Sequence, residues 1–168
     1  MKGCGKSTVG KLLAEKLGVQ FIELDNDLEK RHFQTKKEKL TFREIYLKYG
    51  QEYFRQLENT VLIRLLGELA DQNYVLACGG GTPLNLKNQK ALINLGKVIY
   101  LKPDNDALLE RIMYHGIPPF FPYQDDPDKS LMELLKIREP VYNKIAEQVL
   151  NCGIKTPEEI ITDIIKLL

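Results

Sequence analysis

The stretch Gly3-Cys4-Gly5-Lys6-Ser7-Thr8 leads without a break into Val9-Gly10-Lys11-Leu12-Leu13-Ala14-Glu15-Lys16-Leu17, whose apolar residues at 9, 12, 13 and 17 follow helical spacing. A glycine-rich turn that opens a helix is a junction at which phosphates bind. Successive backbone N–H groups, unobstructed where the residue is glycine, wrap an anion at the positive end of the helix dipole. The full pattern of such a loop is G-x-x-x-x-G-K-[ST]. Set on Gly5-Lys6-Ser7, it puts its first glycine one residue before Met1. In that loop Lys6 would bridge the outer phosphates and Ser7 would ligate Mg²⁺. The same residues also read as a glycine-rich helix start with a chance lysine, so the rest of the chain has to decide.

Composition narrows the field. The chain has 168 residues, 43% of them hydrophobic and 28% charged, with 24 basic against 23 acidic side chains and a net charge of +1. That is enough apolar material for a packed core, so the expectation is one domain over residues 1–168 rather than a disordered or disulfide-stapled chain. Without a basic excess, neither nucleic acid nor an anionic membrane is an expected partner. Cys4, Cys78 and Cys152, with His32 and His115, have no paired spacing, which speaks against a disulfide framework or a zinc site. Apolar runs stop at about five residues, as in Tyr74 to Cys78, against about 18 for a membrane span. Met1 to Lys6 has no apolar stretch of the signal-peptide kind. The expectation is a cytoplasmic monomer.

Along the chain, Val19 to Leu24 reads as a strand that ends in the acidic cluster Glu23, Asp25, Asp27 and Glu29, and ligands gather at the carboxyl ends of such strands. The basic stretch from Glu29 to Glu44 reads as a solvated helical surface. From Gln51 to Asp71 the residues Phe54, Leu57, Val61, Leu62, Leu65, Leu66 and Leu69 make a helix with one buried stripe, and Arg55 and Glu58 neighbour one another on it. Tyr74 to Cys78 reads as a buried strand running into Gly79-Gly80-Gly81. Three glycines add no packing and cost backbone entropy, so something approaches the backbone there. Leu86 to Leu95 (helix), Lys97 to Leu101 (strand) and Asp104 to Met113 (helix, with Asp104 as N-cap) continue the alternation. Residues 114–129 carry four prolines, the aromatics Phe120, Phe121 and Tyr123, which are expected to be exposed, and several acids, a loop long enough for a lid. Ser130 to Gln148 returns to helix with Arg138, Val149 to Cys152 is a short strand, and a last helix starts at Pro157.

Strands alternating with helices predict an α/β fold, a parallel sheet with helices on both faces in a three-layer αβα sandwich of the phosphate-loop NTPase kind. In such folds the phosphate loop follows a central strand, yet here it opens the chain. Losing that strand forfeits several buried side chains at about 1.5–3 kcal/mol each, against a total stability of about 5–15 kcal/mol. A strand upstream of Met1 is therefore expected, making a sheet of five strands rather than four.

The motifs Gly3 to Thr8, Phe21 to Asp25, Gly50 with Phe54-Arg55 and Glu58, Gly79 to Gly81, and Arg138 with Pro140 and Tyr142 occur in an order and at spacings that resemble the shikimate kinases. The resemblance spans nearly the whole chain. It implies transfer of the ATP γ-phosphoryl group to the 3-hydroxyl of shikimate, with Mg²⁺, a step of aromatic amino acid and chorismate biosynthesis. It assigns ATP to Gly3, Cys4, Gly5, Lys6, Ser7 and Thr8, with Arg111 and Pro157 flanking the adenine. Lys6 and Asp25 become the catalytic pair, Lys6 on the phosphates and Asp25 as the carboxylate on the attacking hydroxyl. Shikimate falls to Asp25, Arg55, Glu58, Gly79, Gly80, Gly81 and Arg138, the two arginines holding its carboxylate in their planar forks and Glu58 orienting Arg55. Ser7 and Glu23 become the metal-side residues.

Without the resemblance, each residue has a plainer reading. Arg55 with Glu58 is then a surface helix pair worth about 0.3–0.5 kcal/mol, Asp25 an N-cap for a helix beginning near Asn26 or Asp27, and Arg138 a solvated residue. His32 and His115 match nothing in the family and read as structural or surface residues. The chain also departs from the family pattern. Glu23 stands where relatives have aspartate, and a displacement of about 1 Å in such a site can cost on the order of 100-fold in rate. The lid of relatives carries Arg-Pro followed by two leucines, where this chain has Pro118-Pro119-Phe120-Phe121. An arginine on a transferring phosphoryl group is worth about 10³ to 10⁵ in rate, and Lys129 is the basic residue nearby. Two alternatives thus stay open: a nucleotide-binding or regulatory paralogue with weakened catalysis, and a related small-molecule kinase with another anionic acceptor.

Overall fold

Val9, Leu13 and Ala14 bury one side of the first helix, α1 (Lys6–Leu17), which begins inside the glycine-rich turn. The structure, a computed structural model, describes residues 3–114, 116–118 and 120–168. Met1, His115 and the Pro119 of the lid pattern lie outside them. The chain divides into two compact units, Gly10–Gly96 and, with the start of the chain to Val9, Lys97–Leu168.

In the Gly10–Gly96 unit, β1 (Gln20–Glu23) runs parallel to β2 (Tyr74–Ala77), with Gln20 opposite Tyr74 and Glu23 opposite Ala77. The crossover between them is helical. The first helix, α2 (Leu24–Lys36), starts directly at the end of β1, with Glu23 still extended at φ −97 and ψ 113. Asp25 and Asp27 lie in its first turn, where carboxylates complement the helix dipole. Asp25 is therefore inside the helix and is not its N-cap. The expected continuous basic helical surface is interrupted, because α2 ends at Lys37 in the left-handed region (φ 59) and the chain is irregular to Thr41.

The second crossover helix, α3 (Phe42–Glu68), opens with a capping box between Thr41 and Glu44. It turns at Gly50, whose φ of 79 suits glycine. The helix expected from Gln51 is thus the second limb of a longer element. Its buried stripe is the one read from the spacing: Phe54, Leu57, Val61, Leu62 and Leu65 are buried, and Leu69 caps it. After β2 the glycine run leads into a 3-10 turn (Thr82–Leu84) and then α4 (Leu86–Leu95), capped by the Asn85 side chain.

In the Lys97–Leu168 unit, β3 (Ile99–Pro103) pairs in parallel with β4 (Gln148–Gly153), with a register shift at Lys102/Pro103. Between them run α5 (Asn105–Tyr114) and α6 (Pro127–Ile145), and α7 (Pro157–Leu167) closes the chain behind a Thr156–Glu159 capping box. Asp104 accepts the Asp106 N–H at 3.2 Å, as an N-cap does. Helix α6 starts at Pro127, ahead of the expected Ser130, because Asp126 caps it by accepting from the Lys129 N–H. The core gathers Cys4, Tyr100, Leu108, Ile112, Phe121, Leu131, Leu135 and Tyr142. Phe121 is only 3% exposed, which corrects the expectation that it lies on the surface with Phe120 and Tyr123.

The alternation of parallel strands with helices is as expected. The single sheet is not: among the described residues the four strands form two pairs, β1 with β2 and β3 with β4. A continuous sheet needs interior strands bonded on both edges, and each described strand is bonded on one. Among the described residues no helix is long and apolar enough to cross a membrane.

Candidate active site

The glycine-rich turn makes a pocket of about 410 Å³ in the Lys97–Leu168 unit. Gly3 and Gly5 both hold positive φ (80 and 84), which lets the backbone curl so that its N–H groups converge. Lys6, Ser7 and Thr8 form the first turn of α1, with Ser7 and Thr8 exposed. The pocket wall is completed by Arg111 of α5, by Cys152, Gly153 and Lys155 from the end of β4, and by Pro157 and Ile160 of α7. All eight residues read from the sequence as the nucleotide set line this one pocket. The sequence reading missed Gly153 and Lys155. Their signal was positional, since a binding crevice lies beyond the carboxyl ends of parallel strands.

Lys6 Nζ donates to Cys4 Sγ at 3.5 Å. Burial alone would raise the Cys4 thiol, but nearby positive charge, Lys6 foremost among the described residues, outweighs it and lowers the thiol to about 7. Cys152, in the same wall, is pushed up, by burial first and then by its charge interaction with Cys4.

A second constellation belongs to the Gly10–Gly96 unit. Glu58 is 1% exposed. It accepts from Arg55 Nη1 at 2.5 Å, from Thr82 Oγ1 at 2.6 Å and from Asn88 Nδ2 at 3.4 Å. Burial pushes its carboxyl up, opposed by the Arg55 charge and the bonds from Thr82 and Arg55. The reading of Arg55 and Glu58 as a surface pair is excluded by this burial. Arg55 lies against the glycine run, for a Cβ built on Gly81 would stand 2.9 Å from its Cζ. A Cβ on Gly79 would meet Thr82 Oγ1 at 3.1 Å, Asp25 Oδ1 at 3.7 Å and Glu58 Oε1 at 3.8 Å. Half-buried Gly80 lies between them. Asp25, Arg55, Glu58, Gly79 and Gly81 are thus brought together as the sequence reading grouped them. Thr82 and Asn88, the neutral donors that make a buried carboxylate tenable, were missed.

Arg138, which the sequence reading grouped with Asp25, Arg55 and Glu58, lies in α6 of the other unit and is 8% exposed, so its reading as an ordinary solvated side chain also fails. Glu23 is half-buried at the end of β1 and makes no cap bond to α2. Ser7 and Glu23 are both oxygen donors, which suits a hard cation such as Mg²⁺. Among the described residues no three of His, Cys, Asp and Glu gather into a metal site.

A family model described as shikimate kinase matches residues 2–168. The chain belongs to the shikimate kinase family. The shikimate kinase of Caldanaerobacter subterraneus is 36% identical over 164 residues, which are 98% of this chain and 90% of that one. Among solved structures, the shikimate kinase of Acinetobacter baumannii in complex with shikimate superposes with a TM-score of 0.84 at 32% identity, over 98% of this chain and 87% of that one. The shikimate kinase of Bacteroides thetaiotaomicron gives 0.82 at 28% identity, over 99% and 93%. The α/β phosphate-loop kinase fold expected from the sequence is therefore the fold of this shikimate kinase family member. Its chain covers most of each relative, so the motif set stands on a family match along its whole length.

Proposed function

We propose that the chain catalyses ATP-dependent phosphorylation of the shikimate 3-hydroxyl, working as one kinase domain, a cytoplasmic monomer that needs no nucleic-acid or membrane partner. The phosphate loop and Lys6 bind the nucleotide's phosphates, with Arg111 and Pro157 beside the base. Asp25 bonds the acceptor hydroxyl. The hydroxyl oxygen attacks the γ-phosphorus, the bond from that phosphorus to the β-bridging oxygen breaks, ADP departs and the hydroxyl proton passes to Asp25. Arg55 and Arg138 hold the carboxylate of the acceptor, Glu58 fixes Arg55, and Gly79, Gly80 and Gly81 let the ring approach the backbone. Mg²⁺, when bound, neutralises charge on the transferring phosphates, and Ser7 Oγ and the Glu23 carboxylate are the donors this chain offers it.

The observation that carries the reading is the buried Glu58 holding Arg55 against Gly81. A guanidinium fixed this tightly serves a bidentate anion better than it serves stability, since a buried ion pair is a poor source of net stabilisation. A coupled assay of ADP release at saturating ATP and shikimate tests it. Shikimate-dependent release is expected. Background release in the presence of bound ATP would favour the weakened nucleotide-binding paralogue, and release driven by a different carboxylate would favour the kinase with another acceptor.

A further inference from the structure

The loop between α5 and α6 has no arginine, but it places an aromatic ring on one. Arg138 Cζ lies 5.2 Å from the centroid of the Phe120 ring, inside the roughly 6 Å range of cation–π attraction. We propose that Phe120 is a positioning residue for the acceptor carboxylate, its ring fixing where the Arg138 guanidinium sits. The proposal rests on the reading of Arg138 as a carboxylate-binding residue.

Three observations support it. First, the ring is held. Phe120 packs edge-on against Phe121, with centroids 5.8 Å apart, and Phe121 is buried in the core with Leu131 and Leu135 of α6. Second, the loop after Phe120 is tied to the helix that carries Arg138. The Tyr123 N–H donates to Ser130 Oγ at 2.8 Å, Ser130 Oγ donates to the Tyr123 carbonyl at 2.7 Å, and Gln124 Nε2 donates to the Phe121 carbonyl at 2.9 Å. Third, the burial is divided unequally. Phe121 does the anchoring, whereas Phe120 stays 38% exposed and contributes less as core than as a cover for the cation.

A guanidinium over the face of an aromatic ring is attracted by the ring's quadrupole and loses freedom to move. The ring therefore restricts where the Arg138 cation sits before an anion meets it. A leucine fills similar apolar space but has no quadrupole for the cation. The chemistry of the aromatic ring is thus what the test must isolate.

Steady-state kinetics of the full chain with Phe120→Ala, Phe120→Leu and Phe120→Tyr, beside unfolding midpoints, test this. Phe120→Ala and Phe120→Leu are expected to raise KM for shikimate about 5- to 30-fold, with KM for ATP and the unfolding midpoint little changed, and Phe120→Tyr should restore it. In an Arg138→Met background, Phe120→Ala should cost nothing further in kcat/KM. An unchanged KM in Phe120→Ala, wild-type behaviour of Phe120→Leu, or an undiminished effect in the Arg138→Met background overturns the proposal alone. No shikimate-dependent turnover by the wild-type chain overturns the parent reading and this one with it.

Discussion

Arg55 Nη1 stands 2.5 Å from Glu58 Oε2, and the carboxylate it meets is almost wholly removed from water. This pair is one turn of α3 long, yet its partners Thr82 and Asn88 come from the far side of β2. Removing the arginine leaves a buried charge without its counter-charge, which costs about 3–5 kcal/mol where measured in other proteins. Arg55→Ala should therefore lower the denaturation midpoint. It should also raise KM for shikimate about 10- to 100-fold, the worth of a charged hydrogen bond, and leave KM for ATP nearly unchanged. Equal effects on both substrates would contradict the role assigned to Arg55.

Gly81→Ala tests the same guanidinium from the other side. The added Cβ would lie 2.9 Å from Arg55 Cζ, so the fork must move. Because Arg55 is clamped by buried Glu58, displacing it strains the pair, so stability should fall by about 1–3 kcal/mol, while KM for shikimate rises at least about tenfold. A variant with wild-type KM would show that the fork's position against Gly81 does not matter to binding.

Cys4 offers a pH-dependent readout of the phosphate loop. Its thiol titrates near 7 because positive charge outweighs burial. In a Cys78→Ser, Cys152→Ser variant, which leaves Cys4 as its one thiol, the ultraviolet thiolate absorbance should reach its midpoint near that pH, and Lys6→Met should move the midpoint upward. ATP should shift the same midpoint, since Cys4 lines the pocket, and Lys6→Met should abolish turnover. A midpoint close to the ordinary 9 with Lys6 in place would refute the charge balance described.

His32 should contribute to the loss of stability in acid, alongside the carboxylates of Glu38, Glu44 and Asp163, which are held below their ordinary range. Its buried ring bonds the Tyr53 hydroxyl at 2.9 Å through Nδ1, and Nε2 is a buried nitrogen without a hydrogen bond. Burial lowers its pKa below 6.5, Glu38 opposes that shift, and Lys36 and Lys48 add to it. Because the folded pKa is depressed, the unfolded chain binds the proton first. The contribution is present above about pH 6.5 and is lost as pH falls through the lower folded value. His32→Gln should flatten this part of the stability profile measured by denaturant between about pH 5 and 7. An unchanged slope would assign the acid limb to other groups.

The expected secondary structure survived wherever periodicity was strong. The stripe Phe54, Leu57, Val61, Leu62, Leu65 is buried as spaced, because one face of a helix repeats regardless of what packs on it. Boundaries moved where a local cap decided them, as at Asp126 for α6 and Gly50 within α3. The loop residues misled most. Phe120 and Phe121 are adjacent and chemically identical, and nothing periodic distinguishes the ring on the cation from the ring in the core.

The sequence by itself determined the phosphate loop, the order of the elements and the family, because glycines, a lysine and spaced motifs act through local backbone geometry and covalent order. Tertiary structure alone decided that Glu58 and Arg138 are buried, that Thr82 and Asn88 satisfy the buried carboxylate, and that Phe120 rather than Phe121 meets the arginine. Burial of a charge depends on donors brought from distant parts of the chain. Their positions follow from the packed fold, and no spacing along the chain encodes them.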